Sequence, residues 1–90
     1  MLQLPAELTH LQASALTQRL GQEGMAQVEP VVAVDASALD RFDSSALAVL
    51  LQLRRDAQSA GKSFSVMGLP QRLRDLAGLY GVAELLTDLG

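Results

Sequence analysis

The stretch Val31-Val32-Ala33-Val34-Asp35-Ala36-Ser37-Ala38-Leu39-Asp40-Arg41-Phe42-Asp43-Ser44-Ser45-Ala46-Leu47-Ala48-Val49-Leu50-Leu51 changes its periodicity part-way along. Val31 to Val34 is a continuous apolar run between Glu29-Pro30 and Asp35-Ala36-Ser37, the pattern of a central strand buried on both faces. From about Ser44 to Ser59 the spacing is helical. Gln52, Arg54, Arg55, Asp56 and Gln58 form a wet side, and Gly61 lies past the end. Phe64-Ser65-Val66-Met67 then reads as another strand, so strand, helix and strand make a parallel crossover unit.

Outward from this unit the pattern continues in kind. Leu2 and Leu4 alternate with Gln3 before Pro5, which reads as a short strand at the margin of a sheet. Thr9-His10-Leu11-Gln12 has capping-box spacing, and Leu11, Ala15, Leu16 and Leu20 follow as a stripe. This predicts a helix over about 10–21, ended by Gly21 or Gly24. Gly68-Leu69-Pro70 opens a third helix with the proline in its first turn, Leu73, Leu76, Ala77 and Tyr80 as its stripe, and Gly81 as its stop. Val82 to Leu89 reads as a last short helix, pairing Val82 with Leu86 and Leu85 with Leu89. The expected class is α/β: one domain over residues 1–90, with a small, mostly parallel sheet covered by helices in the order β-α-β-α-β-α-α.

Composition narrows the function. With 90 residues and 49% hydrophobic content there is room for one small core. A net charge of −3, with no cluster of Lys or Arg, argues against nucleic acid. The longest apolar run, Ala46 to Leu51, is far short of the roughly 20 residues that span a bilayer, and the first residues do not resemble a signal peptide. A soluble cytoplasmic chain without direct membrane insertion is expected. The absence of cysteine removes disulfides and thiolate ligands.

Chemistry-bearing patterns are sparse. His10 is the only histidine and reads as a solvated first-turn residue. No phosphate-binding glycine-lysine loop, dinucleotide turn or metal-ligand spacing is present, so no catalytic residue, metal or cofactor is expected. Asp35 and Asp43 have no partner base, and Asp35 reads as support for the turn after its strand.

The informative site is the start of the second helix. Asp43 or Ser44 is placed to cap it, and a phosphate on Ser44 or Ser45 would sit where helix ends favour anions. Six consecutive apolar residues, Ala46 to Leu51, exceed the single stripe that a helix on a sheet requires. Either this helix is buried on more than one side, or Ala48 and Val49 stand at the rim beside Ser45 as a docking patch while Leu47, Leu50, Leu51, Leu53 and Ala57 face the sheet. Leu69 and Pro70 begin the next helix at the same sheet edge, so one partner could touch both.

Three segments carry a family resemblance: Val31 to Ser37, Phe42-Asp43-Ser44-Ser45-Ala46-Leu47, and Ala60-Gly61-Lys62 before a strand. With Gly68 to Val82, they resemble STAS domains, the fold of anti-sigma factor antagonists, across roughly residues 2–88. The stretch Gly68 to Val82 looks most like the MlaB group, small cytoplasmic STAS subunits of phospholipid-transport ABC complexes. That resemblance implies a non-catalytic subunit that binds and stabilises or regulates an MlaF-like ATPase in a transporter maintaining outer-membrane lipid asymmetry. It would lie peripheral to the inner membrane through its partner. The resemblance implies that the hydroxyl of Ser44 or Ser45 contributes to the contact with that ATPase, and with the helix faces read above the expected partner-binding residues are Asp43, Ser44, Ser45, Ala46, Ala48, Val49, Leu69 and Pro70. The alternative it implies is an anti-sigma factor antagonist that binds an anti-sigma factor kinase and is switched by phosphorylation of Ser45. Ala46 stands where these families commonly carry glycine, which adds a methyl beside the turn. STAS domains also commonly begin with a strand before the one read at Leu2–Leu4, leaving a sheet edge through which a homodimer could form.

Overall fold

Val31–Asp35 lies between two parallel neighbours in the computed structural model, which describes residues 1–86. Strand β1 (Leu2–Gln3), β2 (Glu7–Leu8), helix α1 (Ala13–Ala26), β3 (Val31–Asp35), β4 (Arg41–Phe42), α2 (Ser45–Ser59), β5 (Ser63–Met67) and α3 (Gln71–Leu79) follow in order, with a 3-10 turn at Ala83–Leu85. The main sheet has the order β1-β3-β5, with Val34 opposite both Leu2 and Val66. The expected α/β architecture stands, with β3 central and β1 at the margin. Two further strands, β2 and β4, pair in parallel as a separate ladder. At two residues each they are too short to leave a periodic signal.

The sheet is not covered equally. Burial along β3 alternates from exposed Val31 through buried Val32, half-buried Ala33 and buried Val34, which corrects the expectation of a strand buried on both faces. Leu2 and Val32 meet Leu20 and Gly24 of α1 and Leu53 and Ala57 of α2 on one side. A run can be apolar throughout while only alternate residues are enclosed.

Helix α1 begins at Ala13, later than the expected start near residue 10, and the predicted box forms only in part, in the turn before it, where the Gln12 N–H donates to the Thr9 backbone carbonyl. The Thr9 backbone N–H donates to Gln12 Oε1 at 2.8 Å, and the Leu11 N–H donates to Thr9 Oγ1 at 3.3 Å. It then runs to Ala26, past both glycines expected to stop it. A Cβ on Gly24 would sit 3.5 Å from Val32 Cγ1, and one on Gly21 would sit 3.1 Å from Asp56 Oδ2. These glycines let α1 approach the sheet and α2. Leu16 and Leu20 are buried, but Leu11 and Ala15 are exposed, so the buried stripe is narrower than predicted. The helix end is tied down by Lys62, whose Nζ donates to the carbonyls of Gly24 and Gln27. This gives the Ala60-Gly61-Lys62 segment a physical role: a cation seated on the negative end of α1.

Helices α2 and α3 stop as expected. Gly61 and Gly81 take positive φ, with Lys62 N–H donating to Ala57 O at 2.9 Å and Val82 N–H to Ala77 O at 2.9 Å. In α3, Leu73 and Ala77 are buried and Leu76 half-buried, whereas Tyr80 is exposed and outside the stripe. Pro70 is the cap residue of α3, one place before its first turn. The chain after Gly81 makes a 3-10 turn with Leu86 buried and Val82 packed on the core, where a short helix was expected. The expected Leu85–Leu89 pairing lies outside the described residues.

Candidate functional site

Asp43 organises the corner where α2 begins. Its Oδ1 accepts the Ser45 N–H at 2.8 Å, while Oδ2 takes the His10 backbone N–H at 3.2 Å and lies 3.3 Å from His10 Nδ1. Asp43 is therefore the cap. Ser44 has helical backbone angles and makes no side-chain cap bond. The first N–H groups of α2 are already occupied: Ala46 N–H donates to Asp43 O, and both Leu47 and Ala48 N–H donate to Ser44 O.

The same contacts fix the charge of the corner. The Ser45 backbone N–H, opposed by partial desolvation and supported by His10 and the Ser45 hydroxyl, holds the Asp43 pKa down from 3.8 to about 2. A depressed carboxylate contributes stability above its unfolded pKa and loses it as pH falls through the folded value. The expected result is an NMR titration of the Asp43 carboxyl centred near 2, with Asp43→Asn flattening the acid limb of stability between about pH 4 and 2. A midpoint near 4 would mean that the cap does not form in solution.

The α3 end joins this corner through stacking. Arg72 lies over the ring of Phe42, its Cζ 4.5 Å from the ring centroid, and Phe42 packs against the core. Phe42 immediately precedes Asp43, so the two helix starts expected to share a sheet edge are in contact. The turns beneath them are equally tight. The Ser37 N–H donates to Asp35 Oδ1 at 2.9 Å, and Gly68, at φ +69°, lies directly against Ser37. Asp35 thus supports its turn as read from the sequence, and the hydroxyl and backbone N–H of Ser37 hold its carboxyl below the usual range.

The eight sequence-predicted residues divide by exposure. Ser44 and Ala48 are exposed, and Asp43, Ser45 and Pro70 are half-buried. Ala46, Val49 and Leu69 are buried, which corrects their assignment to an accessible docking patch. Leu51, expected to face the sheet, is half-buried and packs against the core from its edge. The reason is that α1 packs along α2, so α2 is enclosed on two sides and its apolar run fills both. The methyl of Ala46 is spent inside the core and does not obstruct the surface. His10, Phe42 and Arg72 were missed as site residues because their partners are distant in sequence: no local spacing links residue 10 to 43 or 42 to 72.

What the corner offers is a polar-edged surface held by the Asp43–Ser45 and Asp43–His10 hydrogen bonds and by the Arg72–Phe42 contact. Among the described residues there is no cluster of three or more His, Asp or Glu placed to hold a metal ion. No helix among them is long and apolar enough to cross a membrane. A family model described as "Mlab, STAS domain" matches residues 1–87, and no curated protein matches the chain.

Proposed function

This chain belongs to the MlaB-like STAS domain family, and on that premise we propose that it is a non-catalytic subunit that binds and stabilises or regulates the MlaF-like ATPase of an ABC phospholipid transporter. It works in the cytoplasm, reaching the inner membrane through its partner, and supports outer-membrane lipid asymmetry without contacting lipid itself. The docking surface consists of Asp43, Ser44, Ser45, Ala48 and Pro70, extended by His10, Phe42 and Arg72.

The observation that carries this reading is the pre-capped start of α2. Its N–H groups are satisfied by Asp43 and Ser44, and the corner is fastened to α1 through His10 and to α3 through Arg72. A surface ordered before binding loses less entropy on docking. The same arrangement disfavours the phosphoserine switch. A phosphate on Ser45 would meet donors already taken and a carboxylate that stays anionic down to about pH 2.

Ala48 supplies the test because it is exposed on the same helix face as the cap region. Ala48→Glu and Ser44→Glu are each expected to weaken capture by the purified ATPase at least about tenfold by placing a charge in the contact. Their circular dichroism and melting should match wild type. Unchanged capture by both variants would remove this surface from the contact. Phosphate incorporation at Ser45 by an anti-sigma kinase, with loss of binding to that kinase, would replace the transporter reading with the antagonist one.

A further inference from the structure

Arginines on a small acidic domain usually pair locally, and most of them do so here. Arg41 lies 3.7 Å from Glu7, Arg19 3.9 Å from Glu23, Arg54 donates to Gln58 at 3.3 Å, and Arg74 Nε donates to Leu69 O at 3.1 Å. Arg72 differs. It is exposed, no acceptor among the described residues is hydrogen-bonded to it, and its guanidinium is nevertheless ordered by the Phe42 ring. Arg55 also lacks an acceptor among the described residues, but it stands on the wet side of α2 without an aromatic platform.

We propose that Arg72 is the polar anchor of the docking surface and receives a carboxylate side chain of the partner ATPase. The assignment rests on the docking role proposed above and adds the chemistry of the partner group. Stacking on a ring fixes the plane of a guanidinium while leaving its N–H edges available, and those edges match a carboxylate in paired geometry. Because Phe42 is half-buried and packs against the core, its ring is restrained, so less side-chain freedom is lost on binding. The position is not explained by the stability of α3, since a cation in the first turn of a helix opposes the helix dipole. Phe42 adjoins the Asp43-Ser44-Ser45 turn, so a partner seated on that turn lies within the reach of a long side chain from Arg72. Ordered arginines at interface centres are common sites of concentrated binding energy.

The test uses the full chain and the purified MlaF-like ATPase, with Kd measured at low and moderate salt. Arg72→Ala is expected to weaken binding about tenfold and to flatten its salt dependence. Arg72→Glu should weaken it further, whereas Arg72→Lys and Phe42→Leu should fall between wild type and Arg72→Ala, because both keep the charge while the first loses the fork and the second its platform. Melting temperatures of the Arg72 variants should shift by only a few degrees, the scale of losing an exposed cation–π contact of about 0.5–1 kcal/mol. Replacing the contacted Asp or Glu of the ATPase with Arg should restore binding to Arg72→Glu, which a purely structural arginine would not do. Wild-type binding with Arg72→Ala and Arg72→Glu within twofold of it overturns the anchor while leaving the docking role intact. Absence of wild-type binding overturns both.

Discussion

Val49→Glu is expected to unfold the protein at ordinary temperature. Val49 is 1% exposed, enclosed between α2 and its neighbours. The substitution removes about 1.5–3 kcal/mol of apolar burial and forces a carboxylate out of water, which costs several more. Set against a total stability of about 5–15 kcal/mol, a loss of ~5 kcal/mol or more leaves little folded chain. Ala48→Glu, one residue away, faces solvent and should change stability by no more than about 0.5 kcal/mol. Urea titrations of the two variants separate burial from docking. A wild-type transition for Val49→Glu would return this side chain to the surface and restore the wider docking patch.

Gly68→Ala carries the next largest effect. At φ +69° an L-residue costs about 1–2 kcal/mol, and the added Cβ would lie 2.8 Å from Ser37 Cβ and 3.0 Å from both its Cα and its N. Ser37 cannot easily give way. Its N–H is held by Asp35, and the neighbouring Ala36 N–H donates to Met67 O at 2.8 Å. Overpacking against a fixed turn adds about 1–3 kcal/mol, so melting should fall by roughly 8–40 °C for a chain of this size. Gly81→Ala provides the control: φ is +71° but nothing lies within 4 Å of the added Cβ, so only the backbone cost remains. Equal melting losses for the two variants would show that the contact with Ser37 contributes nothing.

The strength of these two effects follows from how the site is built. Val49 and Ala46 lie beneath the surface that Ala48 and Ser44 present, so the same helical turn supplies core and contact. Gly68 similarly lets the turns after β3 and β5 press together beneath the start of α3, where Arg72 meets Phe42. Changes below the surface therefore act through stability, and changes upon it act through partner binding. Measuring both quantities for each variant keeps the two apart.

Several features were legible because their causes are local. The β-branched run of β3, the capping box before α1, the Asp43 cap and the glycines after α2 and α3 each depend on residues within a few positions of one another. The Asp35-Ala36-Ser37 turn belongs with them. Where the reading failed, the deciding neighbour was remote. Gly21 and Gly24 look like helix stops until Asp56 and Val32 lie against them, and Leu11 and Ala15 look like core although Leu11 falls in the exposed turn before α1 and Ala15 on its outer face.

By itself, the sequence determined the α/β class, the central strand and the capped start of α2, because hydrophobic period and capping chemistry are encoded over a single turn or strand. Only the tertiary structure decided which side of α2 stays open, that His10 and Arg72 fasten the same corner, and that Ala46 and Val49 belong to the core. Those outcomes depend on where α1 and α3 come to rest. A helix's apolar residues state how much surface must be covered, but the neighbouring elements determine which faces are covered.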